Sequence, residues 1–203
     1  MRALPKNKGH DLMTGYLFVL SGPSGVGKTS ICKQLCSNIE SLNWSVSTTT
    51  RPQREGEING KDYHFVSREE FLEKLEQNYF IEHAKVHDNF YGTSKETLLN
   101  GLKEGNNYLI EIDVQGARKI KENIGKNCTF IFITPPNFET LRDRLINRKS
   151  ENSQVIKKRL KNAMKELEES DFYNHIIPNV ELEKTIEKIE KIIIDTINPS
   201  KMG

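Results

Sequence analysis

One glycine-rich stretch constrains the fold of this 203-residue chain more than any other feature. The stretch Gly22-Pro-Ser-Gly-Val-Gly-Lys28-Thr29 matches the phosphate-binding loop: Gly, four variable residues, Gly, Lys, and Ser or Thr. It follows the apolar run Tyr16-Leu-Phe-Val-Leu20 and precedes a segment with helical periodicity. In that setting the loop amides and the helix N-terminus bind phosphates, Lys28 reaches the β- and γ-phosphates, and the Thr29 hydroxyl binds Mg²⁺. The stretch therefore predicts a nucleotide site whose contacts are Gly22, Pro23, Ser24, Gly25, Val26, Gly27, Lys28 and Thr29.

Short apolar runs alternate with amphipathic segments along most of the chain. Near-continuous apolar strands are typical of a parallel sheet that is buried on both faces. We therefore expect an α/β fold with a parallel β-sheet core and helices on both faces. The predicted strands are 16–21, 108–113, 129–134 and 175–177, and the predicted helices are 28–37, 95–103, 115–123, 138–147, 154–170 and 182–197.

The pattern changes between the first helix and Tyr108, where polar and aromatic residues alternate in short stretches such as 44–47 and 63–66. This pattern predicts a small mixed α/β insertion over 45–94 with one helix at 68–77. A second polar stretch, 147–153, predicts a short lid between two helices. The expected organisation is an N-terminal extension (1–14), one domain (15–197, with its core at 15–44, 95–146 and 154–197) and a C-terminal tail (198–203).

Composition and charge argue against several classes of protein. With 30 basic and 28 acidic side chains the net charge is +2, and no basic face or aromatic series indicates a nucleic-acid partner. The apolar runs fall short of the roughly 20 residues that span a bilayer, and none has the length of a signal-peptide core. The three cysteines lack zinc-ligand spacing. We expect a cytoplasmic protein without a nucleic-acid or membrane partner.

Two acidic residues end a predicted buried strand, Tyr108-Leu-Ile-Glu-Ile-Asp113. In an alternating strand Glu111 and Asp113 point to one face, so both carboxylates can reach a nucleotide cleft. A carboxylate at the end of a buried strand is a recurring partner of Mg²⁺ in phosphoryl-transfer enzymes. For either carboxylate alone, the alternative is a solvated strand end. The predicted metal ligands are Thr29 and Asp113, directly or through water.

The stretch 45–65 predicts a second anion site. Arg51 and Arg54 lie three residues apart, after several hydroxyl side chains and before Tyr63. Guanidinium groups bind phosphate oxygens bidentately, so two neighbouring arginines suit a dianionic phosphate. A single arginine would more often be a solvated surface charge, but the whole string of residues favours a phosphate site.

Together these motifs resemble the guanylate kinase family, whose members transfer the γ-phosphate of ATP to GMP. The resemblance runs from about Gly15 to Ile197 and implies a phosphate-loop nucleotide kinase fold with a short lid, with ATP as donor and Mg²⁺ as cofactor. It implies a GMP-binding insertion and a GMP site whose contacts are Ser47, Arg51, Arg54, Tyr63, Glu82, Tyr91, Gly92, Thr93 and, from the core, Glu111. The implied catalytic residues are Lys28, Arg51, Arg144, Arg148 and Arg159, and the implied adenine contact is Asn179.

The chemistry of Glu82 agrees with the role that the resemblance implies. Guanine offers two adjacent donors, at N1 and N2, whereas adenine offers an acceptor at N1. A carboxylate accepts both guanine hydrogen bonds. Glu82 would therefore select guanine, with the hydroxyls of Ser47 and Thr93 completing the base contacts.

Four positions depart from the family pattern. Pro52 follows Arg51 directly, whereas many relatives place the proline one residue later, and Glu111 stands where Asp is more frequent. The lid segment 147–152 lacks the glycines that commonly flank the lid arginine, and Ile177-Pro-Asn-Val-Glu181 replaces a more usual Val-Asn-Asp. The departures affect the lid geometry and the reach of two side chains, while the spacing of the GMP-site arginines is kept.

Two other readings are weighed against a guanylate kinase. One is a kinase for another nucleoside monophosphate, against which Glu82 and Ser47 argue. The other is a non-catalytic guanylate kinase-like module that binds phosphopeptides, against which the intact Lys28, Thr29 and Asp113 argue. The expected small-molecule partners are ATP and GMP, in purine nucleotide metabolism and GMP recycling. Activity on dGMP and the choice between monomer and homodimer stay open.

Overall fold

A computed structural model of the chain describes residues 13–86, 88–124, 126–146 and 153–199. No helix in that part of the chain is long and apolar enough to cross a membrane. In chain order the elements are β1 (Leu17–Ser21), α1 (Lys28–Asn38), β2 (Leu42–Trp44), β3 (Thr48–Thr49), β4 (His64–Phe65), α2 (Arg68–Glu76), β5 (Phe80–Val86), β6 (Asn89–Ser94), α3 (Lys95–Lys103), β7 (Asn107–Glu111), α4 (Val114–Ile124), β8 (Cys128–Thr134), α5 (Phe138–Ile146), α6 (Ser153–Glu168), a 3-10 helix (Ser170–Phe172), β9 (His175–Pro178) and α7 (Leu182–Ile197).

Among the described residues, five parallel strands form the central sheet in the order β2-β7-β1-β8-β9. The side chains of the central strand, β1, alternate between two apolar clusters. Phe18 and Leu20 belong to a cluster with residues of α1 and α7. Leu17 and Val19 belong to a cluster with residues of α3 and α4. Helices therefore cover both faces, as predicted, and in such sheets ligands bind at the carboxyl ends of the strands.

A second sheet is mixed and has the order β4-β3-β6-β5. Strand β3 pairs parallel with β4 and antiparallel with β6, which in turn pairs antiparallel with β5. Helix α2 begins with a capping box of Ser67 and Glu70. Its Phe71 stacks on Phe80 and Phe90, with ring centroids 4.5 and 5.4 Å apart. This sheet and helix lie within the predicted insertion, whose bounds stay a prediction.

Two details of the sheets differ from the sequence-based expectation. The stretch 44–47 does not act as one strand of the insertion, because Trp44 ends β2 and pairs with Leu109 in the central sheet. Strand β2 has three residues, of which Leu42 is the buried one, so it carries no apolar run to detect. The antiparallel pair β5 and β6 was also not predicted, and a register shift between Phe80 and Glu82 interrupts its alternation.

Candidate active site

The glycine-rich loop connects β1 to α1, as predicted. Gly22, Gly25 and Gly27 adopt φ angles of 143°, 90° and 101°, which side chains rarely tolerate. A Cβ at Gly22 would also lie 2.2 Å from the Ile133 carbonyl oxygen. Gly27 is the N-cap of α1, so the loop leads directly into a helix N-terminus that favours anions.

Lys28 points back toward the loop. Its Nζ donates hydrogen bonds to the carbonyl oxygens of Gly22 (2.6 Å) and Pro23 (3.1 Å). These neutral acceptors hold the ammonium group beside the loop. Because phosphate oxygens form stronger, charge-assisted bonds with an ammonium group, a bound nucleotide could replace the carbonyls as partners.

Asn179 braces the loop from β9. Its Nδ2 donates to the Val26 carbonyl oxygen (2.7 Å), and its Oδ1 accepts from the Thr185 hydroxyl (3.1 Å). The residue is 4% exposed and does not line the cleft described below. Its predicted adenine contact stays a prediction, while the observed contacts connect the loop to α7.

The two carboxylates predicted at the end of one strand have different surroundings, because β7 ends at Glu111 and Asp113 directly precedes α4. Glu111 Oε1 accepts from the Thr29 hydroxyl (3.1 Å), and its Oε2 is buried without a partner among the described residues. Asp113 Oδ1 accepts from the Gly116 amide (2.8 Å), so Asp113 caps α4. Burial raises the pKa of Asp113 above its ordinary value.

The oxygens of Thr29, Glu111 and Asp113 are hard donors of the kind that Mg²⁺ prefers. In the part of the chain that the structure describes, no group of three or more His, Cys, Asp or Glu side chains is arranged to hold a metal ion. A complete protein cage for a metal is therefore absent from that part of the chain. Mg²⁺ is usually held by one or two protein oxygens together with waters and substrate phosphates, so the donor set fits this ion.

The predicted acceptor-phosphate residues lie together in the second sheet and the loops beside it. Arg51 forms a bidentate ion pair with Glu57, through NH1 to Oε2 (3.0 Å) and NH2 to Oε1 (2.7 Å). Its guanidinium also lies over the ring of Tyr63, 5.3 Å from the centroid. The rings of Tyr63 and Tyr91 meet edge to face at 6.0 Å. Burial raises the pKa of Tyr63, so its hydroxyl remains a donor.

The predicted base-reading carboxylate is deeply buried. Glu82 is 3% exposed, and its Oε1 accepts from the Thr93 hydroxyl (2.7 Å). Burial raises the pKa of Glu82 to about 7, against the opposing effect of the Thr93 hydrogen bond. The adjacent His83 carbonyl accepts a hydrogen bond from Lys119 Nζ. Thr93 is predicted to contact the base, but its hydroxyl donates its hydrogen bond to Glu82.

These groups surround one cleft of about 240 Å³. It brings the glycine-rich loop together with the second anion site and the buried carboxylate, although Gly22 and Glu82 are distant in sequence. Pro23, Val26, Gly92 and Thr93 do not line the cleft. The predicted residues that do are Gly22, Ser24, Gly25, Gly27, Lys28, Thr29, Ser47, Arg51, Arg54, Tyr63, Glu82, Tyr91, Glu111 and Asp113.

The structure adds three acidic residues that the sequence analysis missed: Glu57, Asp62 and Glu166 also line the cleft. Glu57 follows Arg51 closely and could have been noticed as its counter-ion, although no regular element fixes that spacing. Burial raises the pKa of Glu166 to about 7. Glu166 lies far along the chain, on α6, and no local motif marks it.

The side chains of three predicted catalytic arginines are not described by the structure. Arg148 lies outside the described residues, as does most of the predicted lid, 147–153. Arg144 and Arg159 lie within α5 and α6, respectively. The roles of these arginines on the transferring phosphates stay predictions.

Comparison with known proteins assigns the fold and the cleft to a family. The sequence model of the guanylate kinase family matches residues 14–196. The chain belongs to the guanylate kinase family. A guanylate kinase of Caldanaerobacter subterraneus subsp. tengcongensis is 47% identical over 180 residues, which cover 89% of this chain and 87% of the relative. A guanylate kinase of Clostridium tetani is 46% identical over 179 residues, covering 88% and 85% of the two chains.

A solved structure supports the same assignment. The crystal structure of guanylate kinase from Anaplasma phagocytophilum superposes with a TM-score of 0.76 at 36% sequence identity. The match covers 94% of this guanylate kinase chain and 88% of the solved one. The phosphate-loop kinase fold implied by the sequence motifs is thereby confirmed.

Proposed function

We propose that this guanylate kinase transfers the γ-phosphate of ATP to GMP within the cleft between the glycine-rich loop and Glu82. The observation that carries the proposal is that Lys28 and the buried carboxylate of Glu82 line the same cleft. A donor phosphate site and a base-reading group in one cleft suit a nucleoside monophosphate kinase. A nucleotide switch that binds one nucleotide would not need a second anion site and a base-reading group beside the phosphate loop.

Positioning and charge compensation do most of the work in phosphoryl transfer. The loop amides and Lys28 bind the donor phosphates. Arg51 and Arg54 hold the acceptor phosphate, and Glu57 keeps the Arg51 guanidinium oriented through its two hydrogen bonds. When bound, Mg²⁺ offsets negative charge on the donor phosphates, and Thr29 and Asp113 are the residues that would hold it.

No strong general base is required, because the acceptor is already an anionic phosphate oxygen. Arg144, Arg148 and Arg159 are proposed to neutralise the charge on the transferring phosphate. Closure of the insertion and of the lid is proposed to exclude water. The adenine contact of Asn179, activity on dGMP, the oligomeric state and the cytoplasmic location remain predictions from the sequence.

Glu82 is proposed to select the base. Its carboxylate accepts hydrogen bonds from guanine N1 and N2, whereas adenine offers an acceptor at N1. The amide of Glu82→Gln presents a donor to one of the guanine donors. A charge-assisted hydrogen bond is worth about 1.5 to 3 kcal/mol, so kcat/KM for GMP should fall by about ten- to over a hundredfold.

Initial rates with GMP and AMP as acceptors test this assignment. The rate with AMP should hold steady or rise in Glu82→Gln, because Arg51, Arg54, Tyr63 and Tyr91 are unchanged, and the preference for GMP over AMP should narrow. Glu76→Gln, the same change at an exposed position at the end of α2, is the matched control and should match the wild type. Parallel loss of both rates in Glu82→Gln would show that Glu82 is structural and that the base is read elsewhere.

A further inference from the structure

The carboxylate of Glu82 is confined by residues of two other elements, β6 and α4. Glu82 Oε1 is held by the Thr93 hydroxyl at 2.7 Å. The backbone of Glu82 belongs to β5, which pairs with Thr93 of β6. Its other oxygen, Oε2, lies close to Gly116 in the first turn of α4, and Glu82 also lines the cleft.

Gly116 is the residue of α4 that Oε2 approaches. A Cβ added at Gly116 would lie 2.6 Å from Glu82 Oε2 and 3.3 Å from Glu82 Cδ. The Cβ of Ile112 would also lie 3.3 Å away, a close contact on the side of β7. Gly116 is buried, and its amide donates to Asp113, which fixes its position in the helix N-terminus.

A methyl group at this point would move the carboxylate in preference to the helix. The helix backbone is held by the Asp113 cap, whereas the Glu82 carboxylate is the end of a flexible side chain. A displaced carboxylate would also disturb the hydrogen bond that Oε1 accepts from the Thr93 hydroxyl. Misplacement of a positioned group by about 1 Å can cost about a hundredfold in rate.

We propose that Gly116 determines the guanine specificity of this enzyme by leaving the space in which the Glu82 carboxylate is seated. Gly116 is a positioning residue and acts through Glu82. The inference rests on the proposed role of Glu82 as the group that reads guanine. It assigns to a helix residue outside the cleft lining a part in the choice of nucleobase.

The test compares Gly116→Ala with a matched glycine substitution elsewhere. Gly116→Ala should lower kcat/KM for GMP by about tenfold or more, mainly through KM, because only the base-reading group is misplaced. The KM for ATP and the rate with AMP should stay within about twofold of the wild type, since the donor and phosphate contacts are unchanged. The urea midpoint should change little, since alanine is a better helix former than glycine.

The control is Gly101→Ala, also at a buried glycine of a helix. Its Cβ would lie 2.2 Å from the hydroxyl of Tyr108, which does not line the cleft. This variant should show the opposite pattern, with a lower urea midpoint and an unchanged preference for GMP over AMP. The two alanine variants thus separate loss of stability from loss of specificity.

A double variant shows whether Gly116 acts through Glu82. In the Glu82→Gln background, Gly116→Ala should lower kcat/KM for GMP by less than about threefold, because the function that it disturbs is already lost. Equal losses for GMP, AMP and ATP in Gly116→Ala, or full retention of GMP preference, would overturn the inference. If Glu82→Gln itself keeps the preference for GMP, the proposed role of Glu82 fails as well, so the two failures are distinguishable.

Discussion

Burial gives the carboxyl group of Glu82 a chemistry that an exposed glutamate lacks. Loss of solvent raises its pKa to about 7, whereas the pKa of this group in the unfolded chain is about 4.3. The folded protein therefore binds an extra proton between these two values. Stability contributed by the neutral carboxyl is present at low pH and is lost as the pH rises toward 7.

The free energy of unfolding should show this loss when the wild type is compared with Glu82→Gln. Each pKa unit corresponds to about 1.4 kcal/mol, so the stability of the variant relative to the wild type should rise by about 3 kcal/mol between pH 4.5 and 8. Other groups, including Glu166, titrate in both proteins and cancel in the difference.

Urea unfolding at a series of pH values measures the difference directly. The exposed Glu76→Gln provides the control, and its difference from the wild type should vary little with pH. A flat difference for Glu82→Gln would mean that the folded protein does not hold a buried carboxyl with a raised pKa at this position.

At the scale of whole elements, the site is built from helix and strand ends. The glycine-rich loop leads into the N-terminus of α1, and Asp113 caps the N-terminus of α4. The carboxyl end of β9 supplies Asn179, which joins the loop to α7 through Val26 and Thr185. The bodies of the helices serve to bury the two faces of the sheet.

Asn179→Ala should disturb the donor site by loosening this connection. The variant lacks the hydrogen bond from Asn179 to the Val26 carbonyl, which should lower the free energy of unfolding by about 0.5 to 1.5 kcal/mol. The KM for ATP should rise. The KM for GMP should stay near the wild-type value, because Arg51, Arg54, Tyr63 and Tyr91 lie in the second sheet and the loops beside it.

Comparison of ATP with GTP as donor separates the bracing role from the predicted adenine contact. A loosened loop should weaken both donors equally, whereas a lost adenine contact should weaken ATP alone. The control Asn179→Asp keeps an oxygen that accepts the Thr185 hydrogen bond but lacks the N–H group that donates to Val26. It should therefore raise the KM for ATP and GTP as Asn179→Ala does. Full donor affinity in both variants would contradict the bracing role.

At the scale of the whole molecule, an ion pair connects the second sheet to the core. Lys33 Nζ of α1 lies 2.5 Å from Asp62 Oδ1, in the loop before β4. The hydrogen bond from Lys33 lowers the pKa of Asp62. Because the Lys33 side chain is 54% exposed, the pair should contribute no more than about 1 kcal/mol to closure. A contribution of that size biases closure without locking it.

Asp62→Asn should therefore open the free enzyme without changing the closed complex. A change of about 1 kcal/mol shifts a two-state population by about fivefold, so the radius of gyration of the free variant should exceed that of the wild type. With ATP and GMP mimics at saturation, both proteins should reach the same smaller radius.

Small-angle X-ray scattering in the free and saturated states measures both values. Glu181→Gln removes an exposed pair with Lys184 on α7 and serves as the control. Identical radii for the free wild type and Asp62→Asn would contradict a role for this ion pair in closure. An unchanged radius on saturation would contradict closure of the insertion itself.

Features that short stretches of chain encode could be predicted from the sequence. The glycine-rich loop is a contiguous motif, and the long apolar strands β1, β7 and β8 and the helices have periodicities that can be read locally. The same holds for Arg51 and Arg54, which lie three residues apart in the sequence. The family resemblance extended these motifs to Glu82, Tyr63 and Tyr91, which the structure places in one cleft.

Tertiary structure alone decided which distant residues touch. The bond from Asn179 to Val26 joins residues 153 positions apart, and the contact between Gly116 and Glu82 depends on how α4 packs against β5. The pair Lys33 and Asp62 likewise joins a core helix to a loop of the insertion. Such contacts follow from the packing of whole elements, and no local periodicity carries them. Burial, which sets the pKa of Glu82, arises in the same way, because it depends on every element that surrounds the carboxylate.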